Sequence, residues 1–235
     1  MKVAFYGDSL TAGMPGASYF DILRKRLPEA TLFNYGQIND TALSLYRRIV
    51  KYKLHEPVDA AFLWVGVNDV LIRRSWLFSR LRPSWAKTPA LFREHYRALL
   101  DILGPRADKV FTVSPLFIGE DMRNPWNQAV GELSAIIRDL SAAYANVEFI
   151  DLRAVFIAEL ETRSTSNYLA RNALRSVLDV LTLRSEERID QKAVERGLHF
   201  TLDGVHLNSA GAVLVADTFM KVMGYAKDSK AFCER

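Results

Sequence analysis

What most constrains this chain is a regular alternation of short apolar runs with stretches of helical spacing. Residues 2–6, 31–35, 60–65, 109–113 and 147–150 are rich in Val, Phe and Ile, and most are continuously apolar. Continuous runs of this length are the pattern of strands covered on both faces of a parallel sheet. Between them, residues 19–27, 41–53, 90–103 and 128–144 carry apolar side chains at helical spacing. The alternation predicts an open three-layer α/β/α sandwich, with a five-stranded parallel sheet and right-handed crossovers. No internal repeat, low-complexity tract or linker interrupts the 235 residues, so residues 1–235 are read as one domain.

Residues 153–198 break this alternation. Leu169, Ala173, Leu174, Val177, Leu178 and Leu181 form an amphipathic stripe. Ser185 followed by Glu186 and Glu187 reads as a helix start, and Gly197 before Leu198 as a helix stop. A helical insertion of about residues 162–197 is therefore expected ahead of a last helix running from Ser209 to a stop at Gly224.

No apolar run approaches the roughly 20 residues of a membrane span. Met1-Lys2 leads straight into a strand pattern and Asp8 interrupts any apolar leader core, so no signal peptide is expected. The single cysteine, Cys233, excludes an internal disulfide and fits a reducing cytoplasm. A net charge of +4 is mild. Arg73, Arg74, Arg80, Arg82 and Lys87, however, are interleaved with Trp76, Phe78 and Trp85 and with no acidic residue. This stretch reads as a solvated loop, or as a rim able to attract an anionic or lipid-like substrate. No nucleic-acid module is present.

Ligands of open α/β sheets bind beyond the carboxyl ends of the strands. Gly7-Asp8-Ser9 follows the first run, and Asn34-Tyr35-Gly36 ends the second. Gly66-Val67-Asn68-Asp69 follows the third, and Asp203-Gly204-Val205-His206 precedes the last helix. Read locally, Ser9 is either a helix N-cap or a nucleophile, and each of the other stretches is either a turn or part of a site. Together they offer a serine, a histidine with an intrinsic pKa near neutrality and an aspartate on the histidine's own loop.

In these blocks, Gly7-Asp8-Ser9-Leu10-Thr11-Ala12-Gly13, Asn34-x-Gly36, Gly66-x-Asn68-Asp69 and Asp203-x-x-His206, the sequence resembles the GDSL, or SGNH, serine hydrolases. The resemblance implies their flavodoxin-like sandwich and a cofactor-free, metal-independent esterase or lipase. It implies Ser9 as nucleophile, His206 as base and Asp203 as its orienting partner. It also implies an oxyanion hole made by the N–H groups of Ser9 and Gly36 and the side-chain amide of Asn68. One departure is visible: Asn39 stands where a later glycine of the second block is usual, and Asn best replaces glycine at positive φ. The family acts on acetylated sugars, aryl esters, thioesters and lysophospholipids, so the acyl and alcohol groups stay open.

Competing signatures are absent. There is no G-x-S-x-G elbow, no G-x-G-x-x-G, no phosphate-binding P-loop, and too few Cys and His for a closed zinc site. Two alternatives stand beside hydrolysis: acyl transfer on the same residues, and a non-catalytic binding protein on the same scaffold. The Leu169–Leu181 stripe is either a lid over the catalytic edge or a face packed on the domain's flank or on a second subunit. His55 and His95 read as helix residues, and His199 is left open beside the last block.

Overall fold

The computed structural model describes residues 1–54, 56–74, 85–169 and 185–225. Its five strands are β1 (Lys2–Gly7), β2 (Thr31–Gly36), β3 (Val58–Trp64), β4 (Ala107–Val113) and β5 (Val147–Ile150). They form one all-parallel sheet in the order β2-β1-β3-β4-β5. The helices are α1 (Ser9–Ala12), α2 (Tyr19–Arg26), α3 (Ala42–Tyr52), α4 (Val67–Arg74), α5 (Pro89–Leu103), α6 (Trp126–Ser141), α7 (Leu152–Leu160), α8 (Glu186–Glu195) and α9 (Ser209–Val222). The expected sandwich is present, with boundaries shifted by a residue or two at most strand and helix ends.

The continuous apolar runs are explained by what covers them. Phe5, Phe62 and Phe111 sit side by side across β1, β3 and β4. Phe219 of α9 lies 4.5 Å from the Phe62 ring and Phe5 4.9 Å from it, centroid to centroid. α2 packs on α9, and the Arg26–Asp217 ion pair at 2.6 Å ties the two. On the other layer α3 packs on α5 and α5 on α6. Edge strand β2 is only partly buried, as a strand with one neighbour should be.

Two helices were not expected, and α4 is the first: it begins directly after β3, where the sequence suggested a turn, whereas α1 follows β1 as the helix-cap reading of this stretch implied. α7 is hidden in the irregular stretch of the sequence, because Val155 and Ile157 blur its periodicity. Its buried positions are nevertheless Leu152, Phe156 and Leu160, one helical face. The expected start and stop of α8 hold: Ser185 Oγ accepts from Arg188 N–H at 3.4 Å, and Gly197 takes φ +67°. Most of the Leu169–Leu181 stripe and most of the basic stretch at 73–87 lie outside the described residues, as do His55 and Cys233.

The strand order reverses direction at β1. The β2 crossover leaves on one side and the β3 crossover on the other, so the carboxyl ends of β1 and β3 flank the crevice of such a sheet. The segments carrying Ser9 and Asn68 emerge there.

Candidate active site

Asp8, not Ser9, caps the first helix. Its Oδ1 accepts the Leu10 N–H at 3.0 Å. Ser9 is the first residue of α1, and its Oγ is turned to His206 Nε2, 3.1 Å away across 197 residues of sequence. The cap reading of Ser9 is thereby replaced.

His206 Nδ1 in turn lies 2.8 Å from Asp203 Oδ2. The other Asp203 oxygen accepts the N–H groups of Val205 at 3.0 Å and His206 at 2.8 Å, so the turn folds around its own carboxylate. Gly204 supplies the φ of +92° that this turn needs. The Leu202 N–H meets the His206 carbonyl at 2.7 Å, beside a Thr201–Leu207 antiparallel bridge. The Ala17 N–H donates to the Leu207 carbonyl at 2.8 Å, which joins this loop to the segment following Ser9.

Burial alone would push the Asp203 carboxyl up. The charge of His206, its ring bond and the two backbone N–H groups outweigh that and hold it below the usual carboxylate value. An ionised Asp203 only accepts, so His206 Nδ1 carries the proton and the Nε2 lone pair faces Ser9.

The remaining sequence-derived residues meet on the same edge, with one correction. Ser9 N–H has no hydrogen-bond partner among the described residues. Asn68, in the first turn of α4, donates one amide hydrogen to the Asp40 carbonyl at 2.9 Å, and the second has no partner among the described residues. Gly36 was expected to offer its N–H to substrate, but that N–H is donated to Asn34 Oδ1 at 2.9 Å. The glycine is required for another reason: a Cβ there would collide with Ala12 N of α1. Asn39 does take positive φ, at 67°, as its place in the turn suggested. It is exposed, and its N–H has no partner among the described residues. The carbonyl of its neighbour Asp40 accepts the Asn68 amide. Ser44 Oγ and Arg48 Nε grip the Asp40 carboxylate at 2.8 and 2.9 Å, which fixes the turn on α3.

Residues 5–214 match the model of the GDSL-like lipase/acylhydrolase family. The chain belongs to this family. It is therefore a hydrolase of ester bonds. No curated protein is significantly similar to it in sequence. Among solved structures it is similar to Axe2, an acetylxylan esterase from Geobacillus stearothermophilus, at 18% identity over 96% of this chain and 94% of that one, TM-score 0.70. It is also similar to the acetyl xylan esterase AlAXEase, at 24% identity over 94% of this chain and 99% of that one, TM-score 0.67. LAE5, an alpha/beta hydrolase enzyme from the metagenome of Lake Arreo, Spain, matches at 18% identity over 95% of each chain, TM-score 0.67. At these identities the three establish a shared fold.

Within this GDSL-like acylhydrolase, the other two described histidines, His95 and His199, stand outside the Ser9–His206 pair. His199 Nε2 lies 2.8 Å from the Ser164 carbonyl, and His95 sits on α5. No helix among the described residues is long and apolar enough to cross a membrane, and none of their His, Cys, Asp and Glu side chains cluster to hold a metal ion. Of the amphipathic stripe, Leu169 is described; a Cβ on Gly204 would stand 2.9 Å from Leu169 Cδ1, so the stripe begins against the Asp203–His206 loop.

Asp8, in the acylhydrolase's first block, is a buried carboxyl shifted the opposite way from Asp203. Burial pushes it up to about 7, against the Leu10 N–H bond and the attraction of His206, with Asp40 and Asp69 adding to the rise. Its ordinary value is 3.8, so between that value and about 7 the folded chain holds a proton that the unfolded chain has lost. Stability then falls as pH rises through this window. Asp8→Asn keeps a capping acceptor and removes the titration. Its stability relative to the parent should therefore rise between pH 5 and pH 8 by on the order of a few kcal/mol. Urea denaturation at the two pH values measures this, and an unchanged difference would show that Asp8 does not titrate there.

Proposed function

We propose that this chain is a serine esterase acting through an acyl-enzyme on Ser9. Ser9 Oγ attacks the ester carbonyl carbon as its proton passes to His206 Nε2, and Asp203 holds the imidazolium that forms. Collapse of the tetrahedral intermediate breaks the bond to the alcohol oxygen, which leaves with the proton from His206. Water then repeats the sequence on the acyl-enzyme: His206 takes its proton, and the acid is released from Ser9. The observation that carries this reading is the relay from Ser9 through His206 to an ionised Asp203, at 3.1 and 2.8 Å.

The developing oxyanion requires donors that are fixed and unspent. We assign that role to the N–H of Ser9, the second amide hydrogen of Asn68 and the N–H of Asn39, the last in place of Gly36. Asn68→Ala should lower kcat by roughly 10²- to 10³-fold while KM changes far less. A rise in KM at constant kcat would mean that Asn68 binds substrate uniformly.

The acetylxylan esterases that share the fold make acetyl esters the first substrates to test. A fluorophosphonate should label this enzyme once, at Ser9, with loss of p-nitrophenyl acetate hydrolysis in the same proportion. Loss of activity with the adduct on another residue would overturn the assignment. A p-nitrophenyl series from acetate to palmitate then ranks acyl length directly.

A further inference from the structure

Glu120 lies in the segment that crosses the carboxyl edge of the sheet after β4, and its side chain is fully buried, at 0% exposure. Four donors surround it. Oε1 accepts the N–H groups of Phe200 and Thr201 and the Thr201 hydroxyl, each at 2.8 Å, and Oε2 accepts the His199 N–H at 2.7 Å. No Lys, Arg or His side chain pairs with it among the described residues. A carboxylate taken out of water without a cation is costly, and only such a ring of donors makes it tolerable. The return is a rigid hold on three consecutive residues of a chain that is neither helix nor sheet.

Those three residues lead directly into the Asp203–His206 turn through the Thr201–Leu207 bridge. The same segment also grips the turn's tip: the Gly119 N–H donates to the Gly204 carbonyl at 2.6 Å. The segment itself is fastened to α6 by Asn127, whose Oδ1 accepts the Ile118 N–H at 2.9 Å and whose Nδ2 donates to the Ile118, Gly119 and Asp121 carbonyls at 3.2–3.3 Å. One buried segment thus holds both the foot and the tip of the loop that presents His206 to Ser9.

We propose that Glu120 is a positioning residue for ester hydrolysis, setting the place of the Asp203–His206 loop relative to Ser9. It rests on the assignment of Ser9 and His206 above. Glu120 acts through the backbone of His199–Thr201 and touches no reacting atom. Its substitution therefore changes how often His206 stands within reach of Ser9 Oγ, not how substrate binds.

Glu120→Gln tests this with p-nitrophenyl acetate as the probe. An amide keeps the shape but offers one acceptor atom, so its NH2 must face at least one N–H donor. The expected result is a fall in kcat of roughly 10- to 100-fold, the scale on which a misplacement of about 1 Å acts, with KM within about twofold. In a His206→Ala background the same change should leave the residual rate within about twofold, because no imidazole remains to be placed. If Glu120→Gln fails to fold, Thr201→Val removes one donor from the carboxylate and carries the same comparison. It should lower kcat several-fold with His206 present and leave the rate unchanged without it. Parent-level kcat in the variant that folds, or an equal loss in both backgrounds, overturns the proposal. Full activity of His206→Ala alone would instead overturn the Ser9–His206 reading, and this proposal with it.

Discussion

Ser9→Ala should lower kcat for ester hydrolysis by on the order of 10⁴- to 10⁶-fold, the range expected when the nucleophile of a coupled triad is removed. The structure predicts that the fold survives. Among the described residues the Ser9 hydroxyl makes one hydrogen bond, to His206, and the first helix is capped by Asp8 rather than by Ser9. Stability should therefore stay within about 1 kcal/mol of the parent, the usual range for a substitution that leaves no buried group stranded. His206 is not stranded either, since its ring keeps the Asp203 bond and part of its surface is open, at 17% side-chain exposure. Matched circular dichroism and denaturation curves, with fluorophosphonate labelling abolished, would complete the expected result. Hydrolysis by the purified variant within about 100-fold of the parent kcat would exclude Ser9 as the nucleophile.

Asp203→Asn should be nearly as damaging, with kcat lower by about 10⁴-fold, because it changes the tautomer of the base rather than its position. The amide oxygen can take the place of Oδ1 and keep the bonds from the Val205 and His206 N–H groups, so the turn persists. The NH2 group then faces His206 Nδ1, which must become the acceptor. The ring proton moves to Nε2, and the lone pair aimed at Ser9 is lost. KM should hold, and the variant should fold like the parent. Because the parent Asp203 is held below its ordinary value, its carboxylate should stay ionised throughout the range above about pH 5. A substantial kcat for Asp203→Asn at neutral pH would show that His206 is oriented by something else.

The folding class was legible because it depends on near-neighbour chemistry. Continuous apolar runs at β1, β3 and β4 mark strands covered on both faces, and the helical spacing of α3 and α5 marks the layers that cover them. α7 escaped because apolar residues on its exposed side hid the face that Leu152, Phe156 and Leu160 bury. The Asp203–His206 pair was legible for the same local reason, since a residue and its partner three positions on share one turn.

What the sequence by itself determined was therefore the sheet, its layers, the Asp203–His206 unit and the placing of four polar blocks at strand ends. Only the tertiary structure decided which atoms of those blocks face one another. It joined Ser9 to His206 and assigned the helix cap to Asp8. It also spent the Gly36 N–H on Asn34 and left that of Asn39 open, a choice set by how closely β2 approaches the backbone of α1. Glu120 is the extreme case. A lone glutamate in a loop has no period and no motif, and its four donors lie 79 to 81 residues further along the chain. Hydrogen bonds of that range are fixed by where the packed sheet brings two segments together, a property of three-dimensional packing that no local pattern encodes.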